Sequence, residues 1–130
     1  QHKGEENFLM DKGIYRNITT NLLSNALKYS GENSKVEFKS EITDGKIYIS
    51  VRDSGIGIPS EEQKFLFERF FRAKNASNIQ GTGLGLNIVK KYTELLGGEI
   101  SFESKEKEGT KFTIIFDQKQ VQEFSEKQYD

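Results

Sequence analysis

The stretch Asp53-Ser54-Gly55-Ile56-Gly57-Ile58-Pro59 breaks a strand pattern with a carboxylate, two glycines and a proline. Before it, Ile47, Ile49 and Val51 alternate with Tyr48, Ser50 and Arg52, the period-two pattern of a half-buried strand. Asp53 keeps the parity of the three apolar residues, so a strand continued to it turns a carboxylate toward the core. An inward carboxylate without a partner is costly and needs a hydrogen-bond donor. The alternate glycines allow a sharp turn and a close approach by another group. A buried acceptor beside such a turn suits a flat ligand that carries an amine. A plain strand-to-helix loop with a capping aspartate fits the same residues, and short matches of this kind also arise by chance.

Upstream, Val36, Phe38 and Ile42 mark a partner strand, and Asp44-Gly45 is a two-residue hairpin turn. Before that strand lies a helix, capped by Asp11 and running to about Tyr29. Its apolar residues Ile14, Ile18, Leu22 and Ala26 recur every four positions and form one buried stripe. Asn17, Asn21 and Asn25 recur in the same way on another side, continued by Lys28. Asparagine is a poor helix former, roughly 0.5 kcal/mol or more behind alanine. Local violations of this kind concentrate at functional sites; a solvated polar face is the alternative, and Glu, Lys or Gln would serve it better. Ser30-Gly31-Glu32-Asn33 ends the helix. Residues 1–7 read as a polar linker or strand end cut from a longer protein, and Phe8-Leu9-Met10 as a short strand remnant.

Downstream, Ser60-Glu61-Glu62 reads as the capped start of a short helix that carries Phe65, Leu66, Phe67, Phe70 and Phe71. Aromatic clusters of this density are usually core, although Arg69 and Arg72 interleave with this one. Residues 73–80 are small, polar and aperiodic, as in a flexible loop, and lead into Gly81-Thr82-Gly83-Leu84-Gly85-Leu86. A further helix then places Ile88, Val89, Tyr92, Leu95 and Leu96 on one face and closes at Gly97-Gly98. A glycine loop that opens a helix is an anion site, because free N–H groups and the helix dipole point the same way. Its spacing matches neither the Walker loop nor the dinucleotide fingerprint. Ile100 and Phe102 make a third strand, residues 105–109 a turn, and Thr110, Phe112, Ile114 and Phe116 a fourth strand with Thr110 at inward parity. Residues 117–130 are polar and aperiodic, and a frayed tail is expected there.

The 130 residues suit one domain, and 19 basic against 20 acidic side chains give no nucleic-acid surface. Cysteine is absent, which excludes a disulfide frame and a thiolate metal site. No apolar run reaches membrane-spanning length and no signal peptide opens the chain. The single histidine, His2, has no flanking helical pattern and no acidic neighbour.

In order, these segments resemble the ATP-binding domain of sensor histidine kinases, within the wider family that includes the gyrase, Hsp90 and MutL ATPases. Asn21-Leu22-Leu23-Ser24-Asn25-Ala26-Leu27-Lys28-Tyr29 is similar to the family's N box, and residues 53–59 to its G1 box. Phe67-Glu68-Arg69-Phe70-Phe71-Arg72 resembles the F box, residues 81–86 the G2 box, and Gly109-Thr110 the late Gly-Thr element. The resemblance spans residues 8–116, the extent expected for the domain, with residues 1–7 and 117–130 flanking it.

The resemblance implies an α/β (α+β) two-layer sandwich, the Bergerat ATP-binding fold: a mixed, mostly antiparallel sheet with three helices on one face and a mobile lid. It also implies site roles. Asp53 accepts from the adenine 6-amino group, with Thr110 helping through water and Gly55, Gly57 and Ile58 forming the turn beside them. Asn25 binds Mg²⁺ through its amide oxygen, a hard ligand of the kind magnesium prefers. Lys28 and Tyr29 reach the phosphates. The loop of Gly81, Thr82, Gly83, Leu84, Gly85 and Leu86 offers N–H groups to the triphosphate. Phe70 belongs to the nucleotide pocket, and Arg69 or Arg72 contacts the γ-phosphate. The hydrolysing relatives carry Glu where this chain has Asn21, and a neutral amide cannot take a proton from water. A kinase is therefore expected, with ATP and Mg²⁺ as cofactors, over the alternatives of an ATPase or a nucleotide-binding module without transfer. The implied partners are a histidine-bearing dimerisation domain preceding residue 1 and a response-regulator receiver domain. The domain itself is expected to be monomeric and cytoplasmic, without nucleic acid or direct membrane contact.

Overall fold

The alternation that ends at Asp53 is built as a strand with its apolar residues on one side. In the computed structural model, residues 2–4, 11–30, 35–68, 71 and 85–129 are described, without the side chains of 2–4 and 124–129. The first strand is β1 (His2–Gly4), followed by helix α1 (Lys12–Ser30), β2 (Val36–Thr43) and β3 (Lys46–Asp53). Ile47, Ile49, Val51 and Asp53 of β3 are all buried, as period two requires. Asp44 and Gly45 join β2 to β3 with φ of 52° and 73°, the left-handed pair of a tight hairpin turn. After a 3-10 helix, Ser60–Phe65, come α2 (Gly85–Leu95), β4 (Glu99–Lys105), β5 (Gly109–Asp117) and α3 (Gln118–Tyr129). The sheet order is β1-β2-β3-β5-β4, antiparallel except where β1 lies parallel to β2. This is the mixed, mostly antiparallel sheet expected. The strand at residues 2–4 falls within the expected linker or strand end, whereas residues 8–10 lie outside the described residues.

α1 begins where Asp11 Oδ1 accepts from the Ile14 N–H at 3.0 Å, the expected N-cap. Ile18, Leu22 and Ala26 then face the sheet and are buried. α2 buries Val89, Thr93 and Leu96, a stripe of four-and-three spacing. The expectation that Leu95 shares this face is corrected: it is 56% exposed, on a neighbouring stripe with half-buried Ile88 and Tyr92. Thr93 fits the buried stripe because its hydroxyl donates to the Val89 carbonyl at 2.7 Å. The helix closes as a Schellman turn: Gly98 N–H donates to Thr93 O at 2.8 Å, Gly97 N–H to Glu94 O at 3.0 Å, and Gly97 has φ of 73°.

Two expectations fail for identifiable reasons. The Phe-rich segment is not a side-chain-capped α-helix. Pro59 occupies the cap position and has no side-chain acceptor; its carbonyl accepts from Glu62 N–H at 2.9 Å, and the segment forms one 3-10 stretch that ends at Phe65. Gln63 holds that stretch to the sheet, donating to Ile58 O at 3.0 Å and Ser104 O at 3.1 Å. Leu66 is buried beyond it, Phe67 meets Phe102 and Phe112 edge-on at 5.7 and 6.4 Å, and Phe71 packs on the core, as read; Phe65 is instead exposed, and Phe70 lies outside the described residues.

The expected frayed tail is instead α3. Gln118 N–H donates to Gly45 O at 2.8 Å, Asp117 Oδ1 accepts from Lys119 N–H at 2.9 Å, and Val121 joins the core. So few apolar residues leave no legible period; docking of the helix against β5 supplies the stability that propensity does not. Val121→Ala should therefore cost about 2 kcal/mol, two methyl groups plus a cavity. Urea unfolding checks this, and an unmoved midpoint would return the segment to a frayed tail.

Candidate functional site

At one end of the sheet, Val36, Asp53, Thr110 and Ser104 are successive partners across β2, β3, β5 and β4. Asp53 is only 5% exposed, and its Oδ1 accepts from the Gly55 N–H at 2.9 Å. Burial pushes its carboxyl above the ordinary value, and the N–H groups of Gly55 and Thr110 partly oppose that rise. Thr110 is buried beside it, at the inward parity expected, with its hydroxyl 2.8 Å from that of Ser104. Ser104 was not singled out by sequence. Its signal is that it continues the parity of Ile100 and Phe102, as Thr110 continues that of Phe112.

The glycines of the 53–59 turn are required first by other backbone. Ile56 N–H donates to Tyr29 O, at the end of α1, at 3.1 Å, and a Cβ at Gly55 would overlap that oxygen. Gly57 has φ of 69°, and a Cβ there would overlap the Lys105 carbonyl. Lys107 N–H donates to Ile56 O at 2.7 Å, and Ile58 N–H to Ser104 Oγ at 2.8 Å. The turn is thereby clamped between the end of α1 and the β4–β5 hairpin, with Asp53 at its root.

Along α1, Asn17 and Lys28 are exposed, whereas Asn21, Asn25 and Tyr29 are half-buried. Asn21 Nδ2 donates to Asn17 O at 2.8 Å and to Asn17 Oδ1 at 2.7 Å. A main-chain oxygen only accepts, so this contact fixes which end of the Asn21 amide is nitrogen. Its Oδ1 lies 3.2 Å from the place a Cβ at Gly85 would take, against the start of α2. The structure thus brings Asn21 to Gly85, the Tyr29 carbonyl to Gly55, and Asp53 to Thr110. Leu86 packs on the core as a half-buried residue. Phe70, Arg69, Arg72, the lid at 73–81, and Gly81, Thr82, Gly83 and Leu84 lie outside the described residues.

Among the described residues no group of three or more His, Cys, Asp or Glu could hold a metal. The amide oxygen of half-buried Asn25 is a hard donor of the kind that fits magnesium completed by phosphate and water. Among the described residues no helix is long and apolar enough to cross a membrane.

Residues 10–120 match the family described as histidine kinase-, DNA gyrase B- and HSP90-like ATPase, and the chain belongs to it. Within that family its likeness is to histidine kinase catalytic domains, whose α/β fold it shares. The signal transduction histidine-protein kinase ArlS of Staphylococcus aureus (strain USA300) is 44% identical over 96 residues, which are 72% of this chain and 21% of that protein. The chain therefore spans about a fifth of that relative's length. A mycobacterial sensor histidine kinase, MprB, superposes with a TM-score of 0.76 at 29% identity, over 89% of this chain and 83% of that one. The nucleotide-free catalytic domain of histidine kinase ThkA gives 0.73 at 32% identity, over 90% and 78%.

The burial of Asp53 has a measurable sign. A carboxyl whose pKa is higher folded than unfolded binds its proton more tightly in the native state. Its contribution to stability is present at low pH and is lost as pH rises from about 3.8, the ordinary value, through the raised native one. Asp53→Asn keeps an oxygen for the Gly55 N–H without the charge. Its stability relative to the unmodified chain should therefore climb with pH across that window. Thermal melts of both chains from pH 3 upward check this; a constant difference would contradict it.

Proposed function

We propose that this chain is the ATP-binding catalytic domain of a two-component sensor histidine kinase. It orients Mg-ATP for transfer of the γ-phosphoryl group to a histidine on a separate helical-hairpin dimerisation domain. The observation that carries the reading is the pairing of a buried carboxylate beside the C-terminal end of α1 with an amide, Asn21, set against the start of α2 two turns earlier on the same helix. Asp53 accepts from the adenine 6-amino group beside the glycine turn, with Thr110 next to it. Asn25 offers its amide oxygen to the metal, and Lys28 and Tyr29 lie toward the phosphates on the same side of α1. Gly85 and Leu86 open the helix whose N-terminal N–H groups face the anion, with Gly81, Thr82, Gly83 and Leu84 completing that loop. Phe70 and Arg72 are assigned as further contacts to the nucleotide. Bound magnesium supplies charge stabilisation to the phosphates, as in other phosphoryl transfers.

Asn21 supports transfer over hydrolysis. Its amide nitrogen is bonded to Asn17, and its oxygen, at the start of α2, cannot take a proton from water at neutral pH. Positioning and charge stabilisation are then what the domain contributes, while the acceptor brings its own base. Its partners are the dimerisation domain and a response-regulator receiver domain, in the cytoplasm.

The isolated chain should bind Mg-ATP but neither phosphorylate itself nor release phosphate at an enzyme's rate. Adding a histidine-bearing hairpin should start transfer, weakly, and Asn25→Ala should stop it. Phosphate release comparable to a dedicated ATPase would overturn the kinase reading. Asp53→Ala should weaken ATP binding by about 1.5–3 kcal/mol, the worth of a hydrogen bond to a charged acceptor. Unchanged affinity in calorimetry would remove Asp53 from the adenine site.

A further inference from the structure

Ser104 fills the last inward place of β4 with a hydroxyl where an apolar side chain would continue the core. Three groups surround its oxygen. Ile58 N–H donates to it at 2.8 Å, it donates to Gly109 O at 3.1 Å, and Thr110 Oγ1 lies 2.8 Å away. A serine hydroxyl has one proton and two lone pairs. An amide N–H only donates and a carbonyl only accepts, so the Ile58 and Gly109 contacts fix one lone pair and the proton. One lone pair is left for Thr110, which must therefore donate. Thr110, the cross-strand partner of Asp53, has a single hydroxyl proton, and with it directed at Ser104 the hydroxyl can only accept from any other neighbour. Asp53, when ionised, also accepts only.

We propose that Ser104 determines the base specificity of this site: by binding the Thr110 proton it makes the floor beside Asp53 acceptor-only, which selects a nucleobase edge that donates. The proposal rests on the ATP reading above. Adenine presents an amine at that edge. Hypoxanthine has nearly the same outline but presents a carbonyl oxygen, which would face lone pairs with no proton between them. A site built to receive a donor rejects the isostere lacking it more sharply than shape alone can. Ser104 touches no ligand; it is a positioning residue acting through Thr110.

The test is calorimetric titration of the full chain with ATP and with inosine triphosphate. The unmodified chain should prefer ATP. In Ser104→Ala the Thr110 hydroxyl is free to rotate and donate, and the ATP-to-ITP ratio should fall about tenfold, the scale of one hydrogen bond. In a Thr110→Val background no hydroxyl remains to rotate, and Ser104→Ala should leave the ratio unmoved. If Ser104 merely held the Ile58 turn, its removal would lower the ratio equally in both backgrounds, and that result would overturn the proposal. So would a ratio that Ser104→Ala leaves unchanged. Nuclear magnetic resonance of the Thr110 hydroxyl proton in the unmodified chain decides the matter even if Ser104→Ala fails to fold. The proton should lie toward Ser104; a proton directed at Asp53 would overturn the assignment. Absence of ATP binding by the unmodified chain would instead refute the function on which the proposal rests, and the proposal with it.

Discussion

A carboxylate held inside the end of a sheet governs the geometry around it. Asp53 sits at inward parity on β3, where its charge is poorly solvated and demands N–H donors. The nearest is the backbone of its own turn, and reaching the Gly55 N–H bends the chain back at once. That bend drives the next residues against two other pieces of backbone, the end of α1 and the β4–β5 turn. No side chain fits at Gly55 or Gly57 between them. Ile56 is consequently bonded on both sides, its N–H to Tyr29 and its carbonyl to Lys107. The helix layer and the far hairpin are joined through a segment whose first duty is to satisfy one buried charge.

This bears on how glycine patterns are interpreted. Two alternate glycines beside an acidic residue suggest room for a ligand. Here each is also required by the protein's own packing, and substitution at either would disturb the fold before any ligand was present. A loss of binding in a glycine variant would not by itself prove a contact with the ligand. Variants at Asp53 and Thr110 probe the site more directly, because their side chains point into it and the backbone need not move.

Much of the sheet was legible because period two is a local property. Ile47 to Val51 and Phe112 to Phe116 alternate cleanly, and a buried Asp53 and Thr110 follow from counting. The Asn17–Asn21–Asn25 stack was visible as a violation of helix propensity, and the Asn17–Asn21 bond shows one thing it does. What stayed hidden depends on distant partners. Ser104 is one polar residue in a strand until Ile58, 46 positions away, is found donating to it. α3 has too few apolar residues to announce itself, and its order comes from Gly45, Gly97 and β5. Leu95 was misplaced because two stripes run side by side on α2, and the choice between them lies with the sheet rather than with the helix.

α1 also acts as a ruler. Its contact with the glycine turn is made at Tyr29 and its contact with the start of α2 at Asn21, two full turns earlier. At 1.5 Å per residue these contacts are about 12 Å apart along the axis. The interval is set by the helix hydrogen bonds and cannot shrink to suit a smaller guest. The separation between the glycine turn and the start of α2 is therefore fixed by the hydrogen bonds of a single helix.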